Sequence, residues 1–190
     1  MQTNLLWTGR EYESLENCVV TTTQAGSEVH SVIVGMYAQK IYRVEYFIKT
    51  NPAWETVRFD VRSQHSDRVD VFNFQSDGKG NWTTDGTPKE RFKGCIDVDI
   101  PLTPFTNTLP INRLKLAPGQ TQQIRVLYID LLAGEIKPVW QLYTKLSENE
   151  YHYENVPNDF EATITTDEWG LVVDYPGLFV RTARLESNYR

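Results

Sequence analysis

Two carboxylates, Asp97 and Asp99, stand two residues apart in Gly94-Cys95-Ile96-Asp97-Val98-Asp99-Ile100. On a strand that spacing points both to one face and leaves Ile96, Val98 and Ile100 for the other. Such a pair suits two kinds of chemistry, holding sugar hydroxyls or acting as general acid and base. It suits a structural task equally, as a polar face anchored to Arg113 and to the free amides of a helix end. Thr106, Asn107 and Thr108 follow as a polar run. They either meet a ligand head group in a cavity or bond to surrounding strands, because buried amides and hydroxyls need partners. Arg113 and Arg181 can clamp a phosphate or carboxylate, or serve as surface salt bridges. An indole can stack on a sugar face or line an acyl pocket. Tryptophan is also ordinary core filling, and most of Trp7, Trp54, Trp82, Trp140 and Trp169 are expected in the core.

Other chemistry is excluded by type and spacing. His30, His65 and His152 lack metal-ligand spacing, and no His-Glu-x-x-His, paired Cys-x-x-Cys, Gly-x-Ser-x-Gly, P-loop or Gly-x-Gly-x-x-Gly occurs. No metal or cofactor is expected. Cys95 reads as a small buried thiol rather than a nucleophile, and two cysteines make no disulfide framework. The net charge of -6 leaves no basic stripe for nucleic acid. The start, Met1-Gln2-Thr3-Asn4-Leu5-Leu6-Trp7, has neither the basic nor the long apolar region of a secretory signal. No apolar run approaches the ~18 residues that a membrane span needs. The expectation is a cytoplasmic protein with reduced thiols.

The elements that must position these groups are strands, with one helix among them. Thr103 suits an N-cap and Pro104 the first helical position, where no N–H is needed. Pro110 lacks the amide that continues the ladder, so the helix is expected over about 104–109, with at most a turn beyond. A helix of that length is marginal alone in water and must be held by its surroundings. Apolar alternation predicts strands over 29–36, 41–49, 57–62, 124–129, 139–146, 151–155, 160–165, 171–174 and 178–183. Over 68–75 the phase slips, with Val69 and Val71 on one face and Phe72 and Phe74 on the other. That predicts a bulge or a strand covered on both sides. Asp77-Gly78-Lys79-Gly80 and Asp85-Gly86-Thr87-Pro88 read as turns, and the polar tail 185–190 is expected to fray. Without linker, charge run or repeat, the 190 residues read as one mainly β domain, 1–190.

The central block, Gly94-Cys95-Ile96-Asp97-Val98-Asp99 followed by Thr103-Pro104-Phe105-Thr106-Asn107-Thr108-Leu109-Pro110-Ile111, resembles the signature of the putative glycolipid-binding family. Tyr175-Pro176-Gly177-Leu178-Phe179-Val180-Arg181 is similar to the family's closing pattern. Trp54 with Arg58, and Gly80-Asn81-Trp82, resemble earlier landmarks. The chain departs from the pattern at Asn112, where a basic residue is expected, and at Ile100, where Leu is expected. The resemblance implies a spiral β-roll, a long mostly antiparallel sheet wrapped around one short α-helix, and assembly as a homodimer. It implies a glycolipid or another amphiphile as ligand, bound without catalysis between sheet and helix. Trp54, Arg58, Asp97, Asp99, Thr106, Asn107, Arg113 and Arg181 are the candidate ligand-binding residues. Two other readings stand beside it: an enzyme acting on a lipid or sugar derivative with Asp97 and Asp99 as acid and base, and a ligand-free structural dimer with a filled core. Whether the space between helix and sheet is empty or packed separates them.

Overall fold

The computed structural model describes residues 1–187. Six long strands open the chain: β1 (Gln2–Gly9), β2 (Ser14–Thr23), β3 (Gly26–Tyr37), β4 (Lys40–Thr50), β5 (Thr56–His65) and β6 (Arg68–Ser76). Short β7 (Trp82–Thr84) and β8 (Thr87–Pro88) complete this half, and a 3-10 turn at Glu90–Phe92 follows. The three-residue β9 (Asp97–Asp99) leads into α1 (Phe105–Leu114), the α-helix of the described residues. The second half is β10 (Thr121–Asp130), β11 (Glu135–Lys145), β12 (Glu150–Val156), β13 (Glu161–Thr166), β14 (Val172–Tyr175) and β15 (Phe179–Ser187).

All of these strands join one open sheet in the order β8-β7-β6-β5-β4-β3-β2-β1-β15-β14-β13-β12-β11-β10-β9. The two halves meet where β15 pairs antiparallel with β1. Only β9 runs parallel to its neighbour, β10. The sheet curls until β9 packs near β5. This is the mainly β roll around one helix that the resemblance implied.

Alternation along the strands explains why the sheet curls on this side. In β4 the inward residues Tyr42, Val44, Tyr46 and Ile48 are all buried, while Ile41 and Lys49 are exposed. The inner faces of β1 to β7 supply one apolar cluster, including Leu5, Trp7, Val44, Phe59 and Trp82. The inner faces of β10 to β15 supply a second, including Ile124, Tyr143, Tyr153, Ile164 and Phe179. The helix joins the two, with Phe105 and Leu109 in the first cluster and Ile111 in the second. Its residues from Phe105 through Ile111 are buried without interruption, as expected for a helix enclosed on most sides rather than lying on a surface.

The helix takes the whole further turn beyond 109 that the sequence allows, carrying Pro110 internally and ending at Lys115 in the left-handed conformation, φ 49°. Pro110 donates no bond to the Thr106 carbonyl, and burial in two cores holds the turn that propensity alone would break. Several expectations are corrected. β6 contains no bulge, since its register with β5 is unbroken. Nor is it covered on both sides: Val69 and Val71 stand exposed on its outer face. The tail to Ser187 is strand, not frayed, because Leu185, Glu186 and Ser187 pair with β1; 188–190 lie outside the described residues. Only Trp7 and Trp82 are core tryptophans; Trp140 and Trp169 are exposed. β1 and β2 had no predicted counterpart.

Two glycines fix the entry to β9. A Cβ on Gly80 would lie 2.8 Å from the Gly94 backbone, and the Gly94 amide donates to the Gly80 carbonyl at 3.0 Å. This close approach, at φ +82° and +84°, is open only to glycine. Leu109 is fully buried in the first cluster, so Leu109→Ala is expected to destabilise the protein by about 2–5 kcal/mol, measured by chemical denaturation.

Candidate functional site

Polar ties hold each end of the helix to the sheet. At the N-terminus the Thr103 hydroxyl accepts from the Phe105 amide at 3.0 Å and donates to the Glu16 carboxylate at 2.9 Å. Thr103 stands one residue before the N-cap, Pro104, rather than at it, yet its hydroxyl still takes a free amide of the first turn. The same Glu16 oxygen accepts from Ser31 at 2.6 Å and Tyr46 at 2.7 Å, while Glu16 Oε2 is buried with no partner. Burial pushes the Glu16 carboxyl up to about 7, against the pull of those three donors. At the C-terminal end Arg113 grips Asp97, with Nη2 to Oδ2 at 2.6 Å and Nε to Oδ1 at 3.1 Å. Asp97 is 0% exposed, so burial pushes its carboxyl up while the guanidinium pulls it back.

Asp99 differs. It accepts from the Thr106 hydroxyl at 3.1 Å and the Gln141 amide at 2.6 Å, both neutral donors. Thr106 also accepts from the Ile100 amide, clasping β9 to the helix. Asp99 and Asn107 face a cavity of about 170 Å³ between the helix N-terminus, the β1–β2 connection and the inner face of β10 to β15. Its walls are aromatic: Tyr12, Tyr128, Tyr153, Phe160, Tyr175 and Phe179, with Asn155 among them. The rings brace one another. Tyr12 stacks on Phe179 at 6.3 Å, and Tyr175 lies 6.3 Å from both Phe179 and Tyr153. Tyr143, edge-on to Tyr153 at 5.3 Å, donates to Asn107 Oδ1 at 2.9 Å and so fixes the amide at the cavity. Burial raises Tyr12, Tyr128, Tyr153 and Tyr175 well above the ordinary phenol range, so all four stay neutral. Glu11 is exposed and Tyr12, Pro101, Phe160 and Leu178 are half-buried, which opens the cavity to the surface on that side.

The eight candidate residues therefore divide. Asp99 and Asn107 line the cavity, Thr106 supports Asp99, and Asp97 pairs with Arg113 just behind. Thr108 is buried with its hydroxyl unpartnered. Arg181 lies apart, bonded to Asp167 at 2.6 Å; both arginines are largely buried in their ion pairs instead of lying at the surface. Arg58 is exposed on the outer face, bonded to Asp60 and 5.3 Å from the Phe47 ring centre. Trp54, at φ +64°, borders a separate depression with Asn112 and Glu168. The two carboxylates do not share one cavity: Asp97 is locked and closed to solvent, and only Asp99 faces the opening. The aromatic wall was not foreseen. Of its residues only Tyr175 and Phe179 lie in a recognisable sequence pattern; Tyr12, Tyr128, Tyr153 and Phe160 are scattered along the chain. A His152, Glu154 and Glu161 group on β12 and β13 brings three potential ligand atoms within 4.8 Å, away from this cavity.

Fold and cavity together define an open, curled β-sheet protein with a helix in its fold and a small aromatic pocket beside it. Comparison with known proteins adds the family. The profile of the Putative glycolipid-binding family matches residues 4–181, and the chain belongs to that family. The chain is similar to a DUF1089 family protein from Pseudomonas aeruginosa, known from a crystal structure. The two are 35% identical over 87% of this chain and 91% of that one, with a TM-score of 0.80. A search of curated proteins returns no match. No helix of the described residues is long and apolar enough to cross a membrane.

Two outcomes are expected. Glu16 binds its proton more tightly folded than unfolded, so stability falls as pH rises from about 4.5 to about 7 and is flat above, by about 3 kcal/mol in all. Urea denaturation at pH 5 and pH 8 reads this, and Glu16→Gln is expected to reduce the slope by that share, leaving the smaller part due to Asp97 and Asp99. Arg113→Met leaves Asp97 buried and unpaired, at a cost of about 3–5 kcal/mol in the same assay.

Proposed function

We propose that the protein binds, without catalysis, the sugar head of a glycolipid or related amphiphile in the cavity between helix and sheet. The observation that carries this is the cavity itself, with aromatic walls around Asp99, Asn107 and Asn155. Flat rings cover the apolar faces of a sugar while carboxylate and amide groups bond its hydroxyls. The volume sets the scale. A cavity of about 150 Å³ holds one benzene-sized ring, so about 170 Å³ takes one ring and not an acyl chain. The ring enters, and the rest of the amphiphile stays outside the half-buried rim. The family name supports a glycolipid.

Neither alternative finds equal support. Asp97 is held by Arg113 and closed to solvent, which leaves Asp99 without a second carboxylate in the cavity. A wholly filled core does not fit the open space beside the helix. The homodimer belongs to the same proposal. Leu15, Val34, Ile41 and Val71 expose apolar surface for it on the outer face, and solution scattering reads the oligomeric state.

Native mass spectrometry of protein purified from its own host is expected to retain an amphiphile with a sugar head. Leu178→Trp, at the rim, is expected to fill the opening and weaken sugar binding at least ~10-fold by ligand-observed NMR. Absence of any bound amphiphile, together with unchanged sugar binding by the variant, overturns the reading.

A further inference from the structure

The charge at the cavity, taken with the binding function proposed above, identifies the ligand's chemistry more closely. We propose that the group seated against Asp99 is a cation, a protonated amine on a ring-sized head, so that the sugar is an amino sugar. Among the described residues the cavity is lined by two acids, Glu11 and Asp99, and by no Lys, Arg or His. Asp99 is half-buried and lines the cavity, and burial raises its proton affinity. Yet its donors are a hydroxyl and an amide, and among the described residues no ion pair includes it.

The contrast within the molecule is direct. Asp97, two residues earlier, has Arg113, and the buried Asp167 has Arg181. Buried carboxylates are normally paired, because an uncompensated charge away from water is costly. Glu16 also has only neutral donors, but it is closed in the core and burial pushes its carboxyl up to about 7, whereas Asp99 is half-buried and lines an opening. At Asp99 the position of the missing partner is the cavity. The walls agree, since six aromatic residues line the same cavity and the face of an aromatic ring attracts a cation. Lys137 comes near from outside, 6.0 Å from the Tyr128 ring centre, but is bonded to Glu135 at 2.7 Å and does not line the cavity. A phosphorylated or carboxylated head would meet two acids and no base. A neutral sugar would be accepted but would leave Asp99 uncompensated. Affinity is thus ordered amine, then neutral, then anion.

The test is an NMR titration of the whole chain at about pH 6, where an amine is protonated. The probes are glucosamine, N-acetylglucosamine, glucose, glucose 6-phosphate and choline. Glucosamine is expected to bind at least ~10-fold tighter than glucose or N-acetylglucosamine, with choline shifting the same resonances and glucose 6-phosphate shifting none. Asp99→Asn is expected to reduce glucosamine to the level of glucose. Glu11→Gln, on the exposed connection where folding is not at stake, is expected to give a smaller loss in the same direction. Equal binding of glucosamine and glucose overturns the cation and leaves the sugar-binding reading intact. Binding of choline with no sugar overturns the amino sugar and the proposed function while retaining the cationic ligand. Silence from every probe overturns both.

Discussion

The structure depends on a helix whose consecutive residues from Phe105 to Ile111 are all buried. Burying a whole helical turn sequence removes every side of the element from water, so its polar groups must find partners in the sheet. The partners come in two sets. Glu16 on β2 receives Thr103 at the N-terminal end, and Asp97 on β9 receives Arg113 at the other. These ties cross long stretches of chain, from residue 16 to 103 and from 97 to 113. They fix where along the curled sheet the helix sits, which apolar contacts alone would leave loosely specified. Carboxylates suit the task because they accept several bonds at once: Glu16 Oε1 alone takes three.

The cavity is a consequence of that placement. Two apolar clusters meet at the helix, and they differ in their balance of side chains. The first is mostly aliphatic, with Trp7, Trp82 and rings such as Phe59, Phe74 and Phe105 among them, and is buried almost completely. The second is built on tyrosines and Phe179, whose rigid rings brace one another edge-on and in stacks at about 5–6 Å. Rigid rings cannot flow into an irregular gap as aliphatic chains do. Where the ring set reaches the helix N-terminus, Thr103 and Asn107 are already committed to Glu16 and Tyr143. The space between is left open, with Asp99 at its wall.

Much of this architecture was legible. Period-two alternation located most strands because one face of the sheet is dry and the other wet, as in Tyr42, Val44, Tyr46 and Ile48. The polar run after Pro104 and the Asp97, Asp99 spacing pointed to the right place, since both features need a special environment. Pro110 signals a helix end in isolation, and tertiary burial carries the helix a turn past it. What failed did so for physical reasons. Val69 and Val71 broke the pattern because the outer face tolerates exposed apolar residues. The pairing of β1 with β15 joins residues nearly the whole chain apart, and no local signal encodes it. The cavity draws on Tyr12, Asp99, Tyr128, Tyr153 and Tyr175, which converge only after that closure.

Asp97 and Asp99 show how little separates structure from function at the level of residue type. They share a strand, a face and a charge, and both carboxyls are raised by burial. The difference is the partner. Arg113 reaches Asp97 from the last turn of the helix, where a cation also meets the helix dipole favourably. Two residues on, the helix has only Thr106 to offer, and β11 adds the neutral Gln141. A base at either position would have completed Asp99 as Asp97 is completed. The sequence instead lines its cavity with aromatic rings that satisfy no charge themselves but favour one from outside. Compensation at one carboxylate makes a structural tie; its omission at the next, beside an opening of one-ring size, makes a place for a ligand to supply it.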